Sequence, residues 1–296
     1  MENNKKLSFD AFSEIDKEAW KQKIIADLRG KDYEESLVWQ TKEGFDVQPF
    51  YDSSYIGETE KNIQGIQNSL LNTENPDFGY RYWANSQKIE VDDLEIANKT
   101  ALEALQNGEE GLLFYLPSVL STENLGLLLK NIQLNYCRVS FHIKGLPGNL
   151  LENYQAYIQS NSYNLSEKNG ELLRDLTESE EQDLNDIFYT LISLPNFKLQ
   201  LSMGKSDTSL SEETADILAA AVNLVEVLEK FGKTPAQVLN SLSVGVHLRN
   251  NYFFEIARLR AIRLLFSSIA NSYGTNYQAA DLHINTTTSI EISEAT

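Results

Sequence analysis

The sequence predicts an α/β protein built on part of a TIM-type β/α barrel, preceded by a helical and extended N-terminal arm. Two observations predict it. From Trp83 onward, short apolar segments alternate with longer ones of helical periodicity, the pattern of parallel strands joined by right-handed crossovers. The strand segments also share one period-two rule, aliphatic on one side and small or polar on the other.

The arm is assigned to residues 1–82. Ser13-Glu-Ile-Asp16 reads as a helix N-cap with acidic first-turn residues. Ala19, Trp20, Ile24 and Leu28 follow at the spacing of one buried face, and Gly30 is the expected stop. Leu37 to Tyr51 reads as two short strands around a Glu43-Gly44 turn. A loop-rich stretch from Asp52 to about Tyr80 contains an Asn75-Pro76-Asp77 turn.

The barrel domain is assigned to residues 83–296. Its expected strands are Gly111 to Leu116, Cys137 to Ile143, Lys198 to Met203, Leu242 to Leu248 and Leu282 to Thr286. The expected helices are about 92–107, 121–133, 148–160, 177–193, 210–230, 234–240 and 250–273. Five strands cannot close an eight-stranded barrel, so an incomplete one is expected. The acidic run Glu171 to Asp186 is read as a solvated loop and helix start.

The chain has 296 residues, 42% of them hydrophobic, and a formal net charge of −18. It has no apolar run long enough to span a bilayer. The opening Met-Glu-Asn-Asn-Lys-Lys resembles no secretion signal. The lone Cys137 cannot form an internal disulfide, which fits a reducing, cytoplasmic setting. The acidic balance disfavours nucleic acid and anionic membranes.

Period two assigns the faces. Val139, Phe141 and Ile143 oppose Arg138, Ser140 and His142; Leu199 and Leu201 oppose Gln200 and Ser202. Val244, Val246 and Leu248 oppose Ser243, Gly245 and His247, while Leu282 and Ile284 oppose Asp281, His283 and Asn285. An ordinary barrel is aliphatic on both faces of its strands. The candidate lumen residues are therefore Ser140, His142, Gln200, Ser202, Ser243, His247, His283 and Asn285. His142, His247 and His283 are read as lying near strand C-terminal ends. Without a close-spaced ligand pair they are taken as polar lining, not as a metal site.

Three segments resemble the methylmalonyl-CoA mutase family. Leu37-Val-Trp-Gln-Thr-Lys-Glu-Gly44 is similar to its N-terminal arm, and Trp83-Ala-Asn-Ser-Gln87 to the entry into its barrel. Asn251-Tyr-Phe-Phe-Glu-Ile-Ala-Arg-Leu-Arg-Ala-Ile-Arg263, followed by Thr286-Thr-Thr-Ser289, is similar to a helix and Thr-x-Thr-Ser turn of that barrel. The resemblance implies a barrel whose small polar lining admits the pantetheine arm of coenzyme A. It also implies adenosylcobalamin chemistry, an isomerase (intramolecular transferase) activity and a place in propionate metabolism.

The active-chain pattern is broken, however. Met203-Gly204-Lys205 stands where active members carry a catalytic histidine, and Phe114 to Leu120 lacks their cofactor-covering loop. Asp281-Leu-His283-Ile-Asn-Thr286 lacks the glycine of the family's cobalamin-binding Asp-x-His-x-x-Gly loop. The chain is accordingly expected to be incomplete at the C-terminal side of the barrel, with no cobalamin-binding domain. The resemblance implies a small, non-catalytic subunit with no catalytic, cofactor or metal residues. Adenosylcobalamin is expected in a large catalytic partner chain, the two chains forming a heterodimer, and the isolated chain is expected to self-associate. The alternative is a free-standing α/β-barrel acyl-CoA-binding protein or enzyme that uses the lumen histidines. For the cluster Arg249, Arg258, Arg260 and Arg263, pairing with carboxylates is expected in preference to coenzyme A phosphates. Phe253, Ile256, Ala257 and Leu264, flanked by Phe254, Ala261, Leu265 and Ile269, are expected to form the packing face of their helix.

Overall fold

The computed structural model describes residues 17–51, 55, 83–144, 147–174, 180–202 and 208–288. The chain divides into two compact units, Met1–Glu60 and Lys61–Thr296.

In the first unit, α1 (Lys17–Asp27) is followed by α2 (Tyr33–Leu37), whose N-cap Asp32 accepts from the Glu35 amide at 3.0 Å. The helix α1 half-buries Trp20 and Ile24, as the turn after it does Leu28, and leaves Ala19 exposed, so the expected face is narrower than read. Two-residue strands β1 (Trp39–Gln40) and β2 (Asp46–Val47) pair antiparallel around Gly44 at φ +85°, a left-handed value that glycine adopts without strain. Phe50 stacks on Trp20 at 4.9 Å. Tyr33 is the one buried hydrophobic residue among those described in this unit. The Ser13–Asp16 cap, the Asn75-Pro76-Asp77 turn and, apart from Tyr55, the 52–80 loop lie outside the described residues.

The second unit is a seven-stranded parallel sheet in sequence order. Its strands are β3 (Ser86–Glu90), β4 (Gly111–Leu116), β5 (Arg138–Ile143), β6 (Gly170–Leu173), β7 (Phe197–Ser202), β8 (Leu242–Leu248) and β9 (Ile284–Thr288). The connecting helices are α3 (Leu94–Gln106), α4 (Thr122–Leu128), α5 (Leu150–Ser160), α6 (Glu181–Leu191), α7 (Leu210–Glu229), α8 (Pro235–Asn240) and α9 (Tyr252–Ser272). Their starts follow from local chemistry. Asp93, Ser121 and Asn251 cap α3, α4 and α9 through their side chains, while Ser209/Glu212 and Thr234/Gln237 form capping boxes on α7 and α8. No helix among the described residues is long and apolar enough to cross a membrane.

The sheet is curled, and one contact proves it. Neighbouring strands lie about 4.8 Å apart, so β5 and β9 would be roughly 19 Å apart in a flat sheet. Yet Arg138 on β5 approaches His283, next to β9, to 2.6 Å. Sequential parallel order with this curl is a partial TIM-type barrel. The outward faces form one apolar core with the helices: Phe114, Val139, Phe141, Leu172, Leu199, Leu201 and Val244 are all at most 3% exposed. Phe141 sits at its centre, edge-on to Tyr154 of α5 at 5.1 Å and close to Phe114 and Phe197.

Three readings need correction. The strands β3 and β6 were not expected. The first, Ser-Gln-Lys-Ile-Glu, buries only Ile89 because it is an edge strand. The second is four residues long and overlaps the start of the acidic run read as solvated; there Glu171 is 2% exposed. The third correction is α9, which turns Glu255, Arg258, Ile262, Phe266 and Ala270 inward and leaves Phe253 78% exposed. Buried charge pairing at its N-terminal half rotates the helix away from its most apolar side.

Candidate functional site

The register places Ser86, Lys88 and Glu90 of β3 on the lumen face with Gly111, Leu113 and Tyr115 of β4, and with Arg138, Ser140 and His142 of β5. It continues through Glu171 and Leu173 of β6, Lys198, Gln200 and Ser202 of β7, Ser243, Gly245 and His247 of β8, and Asn285 and Thr287 of β9. Glycine at 245 reflects crowding: a Cβ there would run into the Gln200 side chain.

Three groups of contacts fill this face. At the N-terminal ends of the strands, His283 Nδ1 lies 2.5 Å from Glu171 Oε1 and its Nε2 2.6 Å from Arg138 Nη1. A neutral ring protonated on Nδ1 satisfies both: Nδ1–H donates to the carboxylate and Nε2 accepts from the guanidinium. The Glu171 backbone amide donates to Ser140 Oγ at 3.1 Å. One level up, Asn285 Nδ2 donates to Gln200 Oε1 at 2.7 Å, bridging β9 and β7 over Gly245. Toward the C-terminal ends, His142 stacks on Tyr115 at 4.3 Å, and the Lys88 ammonium lies 4.0 Å above the Tyr115 ring. Burial, aided by the nearby Lys88 and Lys144 charges, holds His142 below the ordinary imidazole value.

The expected lining residues therefore fall into different settings. Ser140 and His283 meet through Glu171; Gln200 and Asn285 meet each other. Ser202 is exposed at the end of β7, and Ser243 is fully buried with no hydrogen-bond partner for its Oγ. His247 Nδ1 contacts Thr287 Oγ1 at 3.2 Å. His142 and His247 are penultimate in their strands, but His283 precedes its strand, at the opposite end of the barrel from the expected position. Each histidine has its own partners, and among the described residues no group of three or more His, Cys, Asp or Glu is arranged to hold a metal ion. Met203-Gly204-Lys205 lies outside the described residues. Arg138 and Glu171, the groups that tie the lumen together, were not among the expected site residues. Only the opposite charges at inner-face positions of adjacent strands could have signalled them.

Three arginines of the cluster, Arg249, Arg258 and Arg263, pair within the chain. At the C-terminal end of β8, Glu213 of α7 accepts from Arg258 at 2.8 Å and from Arg249. Glu255 accepts from the Arg249 backbone amide at 3.0 Å. Arg263 donates to the carbonyl oxygens of Ala279 and Leu282, and Arg260 is exposed. The Asp281-x-His283 pair does not fit cobalamin ligation, because both ring nitrogens of His283 are engaged and Asp281 accepts from the Gln278 amide at 2.8 Å.

Residues 200–294 match the profile of the methylmalonyl-CoA mutase family. The chain is 29% identical, over 98% of its length and 50% of the relative's, to the methylmalonyl-CoA mutase small subunit of Porphyromonas gingivalis. It is 24% identical to a methylmalonyl-CoA mutase of Cereibacter sphaeroides, over 87% of this chain and 42% of that one. It is 23% identical to one of Rhizobium meliloti, over 81% and 40%. The chain thus spans half or less of the length of the curated relatives it matches. The chain is thus similar to the methylmalonyl-CoA mutase family in its C-terminal third, and over nearly its whole length to a methylmalonyl-CoA mutase small subunit.

Proposed function

We propose that this chain is a non-catalytic small subunit of an adenosylcobalamin-dependent methylmalonyl-CoA mutase, working in the cytoplasm. A large partner chain would carry the cofactor and interconvert methylmalonyl-CoA and succinyl-CoA. One observation carries the reading: Arg138, His283 and Glu171, and above them Gln200 and Asn285, are bonded to one another across the lumen. An elongated thioester on the barrel axis would have to part Arg138 and His283 from the buried Glu171. Leaving such a carboxylate unpaired costs about 1–3 kcal/mol or more. Association finds support in the N-terminal unit, where Trp39, Phe45, Phe50, Tyr51 and Tyr55 are each more than 40% exposed.

The test is reconstitution. Sedimentation with a large methylmalonyl-CoA mutase chain should give one heterodimeric species, and desalting the lone chain from adenosylcobalamin should leave it colourless. Stoichiometric corrinoid retained by the lone chain, or turnover without the large chain, would remove the proposal.

A further inference from the structure

The two cross-lumen bridges leave Ser243 out. It lies on the inner face of β8, fully buried, and its Oγ has no hydrogen-bond partner among the described residues. Its inner-face neighbours are Gln200, directly opposite on β7, and His283, whose carbonyl accepts from the Val244 amide at 3.0 Å. Both turn their polar ends elsewhere. The Gln200 side chain leans toward the C-terminal end of the lumen, over Gly245, and its Oε1 accepts from Asn285 at 2.7 Å. The His283 ring is engaged at both nitrogens, by Glu171 and Arg138. An ordinary barrel fills such positions with bulky aliphatic side chains, whereas here the next inner-face residue of β8 is Gly245 and β5 presents Ser140.

Two further polar groups border this place. Glu171 meets His283 through Oε1, and its Oε2 has no hydrogen bond among the described residues, although the side chain is 2% exposed. The carboxylate thus ends at the ring of the residue that flanks Ser243, one strand spacing of about 4.8 Å away. On the other side, Gln200 Nε2 sits over Gly245, two residues along the strand, or about 6.6 Å from the level of Ser243. That separation is roughly two hydrogen-bond lengths, too long for a direct bond and matched to one bridging oxygen.

We propose that the lumen binds one ordered water between the two bridges, accepting from Ser243 Oγ–H and Gln200 Nε2–H and donating to Glu171 Oε2. Buried waters make about three hydrogen bonds to groups the protein otherwise leaves unpaired. This one ties the inner face of β8 to β6 and β7 and joins the two bridges into a single polar column. It takes the place on the axis that an aliphatic layer fills in an ordinary barrel. The site is independent of the subunit reading, since every group in it belongs to this chain.

Thermal unfolding of the whole chain and two variants, with a high-resolution crystal structure of the parent, tests the site. Ser243→Ala removes the hydroxyl with little change in volume. Loss of a bare hydroxyl relieves a buried unpaired group and raises the melting temperature. With the water in place the sign reverses, and the variant should melt about 2–4 °C below the parent. Ser243→Val should fall further, because its methyl groups expel the water and leave Glu171 Oε2 and Gln200 Nε2 without a partner. The crystal should show a single peak about 2.5–3.0 Å from both Ser243 Oγ and Glu171 Oε2. A Ser243→Ala variant that melts at or above the parent overturns the site. So does a crystal in which Ser243 Oγ bonds directly to a protein group or has no peak beside it. Should Ser243→Val fail to fold, the alanine variant and the parent crystal decide.

Discussion

Replacing Phe141 by Ala and, separately, its neighbour His142 by Ala tests the two-faced design of the strands most directly. The Phe141 side chain is fully buried between sheet and helices, with Tyr154 edge-on at 5.1 Å and Phe114 and Phe197 at 6.3 and 6.4 Å. Truncating such a phenylalanine costs about 3–5 kcal/mol in transfer and cavity terms. Tyr154 and Phe197 pack against each other at 5.7 Å, which limits collapse into the gap and puts the expectation near 4–5 kcal/mol. His142 is half-buried and makes one ring stack with Tyr115 at 4.3 Å. Its loss should cost no more than about 1 kcal/mol. For a unit of this size each kcal/mol shifts the melting temperature by about 2–4 °C, so Phe141→Ala should melt roughly 8–20 °C below the parent and His142→Ala within about 4 °C of it. Thermal unfolding followed by circular dichroism reads both. Equal losses at the two positions would mean that the strand is buried alike on both faces, and the lumen reading would fall.

Gly170→Ala should be more damaging than Gly245→Ala. The added Cβ at 170 meets the Val139 backbone carbonyl, which cannot yield, whereas at 245 it meets the movable end of Gln200; denaturant midpoints should rank them so, with about 1–3 kcal/mol for Gly245→Ala. Burial pushes the Cys137 thiol up to about 11, so the native chain should react with iodoacetamide far more slowly at pH 8 than its unfolded form, and equal rates would contradict that burial. His142 is held below the ordinary imidazole value of 6.5 mainly by burial. The unfolded chain therefore takes up the proton first, and this contribution to stability is present above pH 6.5 and lost as pH falls below it. His142→Gln should flatten that acid limb. Tyr154 runs the other way: burial raises its hydroxyl far above the ordinary 10. Its contribution is present below pH 10 and lost above it, and Tyr154→Phe should blunt the alkaline loss.

The alternation in β5, β7 and β8 was legible because each of these strands is six or seven residues long and one face meets only helices. Period two needs that length to show. Gly170-Glu-Leu-Leu173 is too short to display it, and Ser86–Glu90, at the edge of the described sheet, buries only Ile89, so neither strand shows in the sequence. On α9 the most apolar side was expected to pack, but Glu255 and Arg258 occupy the interior because Glu213 and the Arg249 amide pair with them there. Pairing between elements distant in sequence decides such positions, and no window along the chain contains it. The same limit applies to the lumen. The polar face could be read residue by residue, whereas the bridge from Arg138 to His283 spans 145 residues and joins side chains whose meeting depends on the curl.

Sequential strand order has a kinetic consequence. Each strand pairs with the one before it in the chain: Ser86 with Gly111, 25 residues on, and at the widest Leu199 with Leu242, 43 on. Loop-closure entropy grows only slowly over such spans. The sheet can thus grow one strand–helix unit at a time, each addition covered by its own helix, with little waiting for distant partners. The cross-lumen bridge is different in kind, since it cannot form until β5 through β9 are all in place and bent. Folding should therefore end with the curl, and a chain that has every strand paired but no bridge would be the last species before the native state.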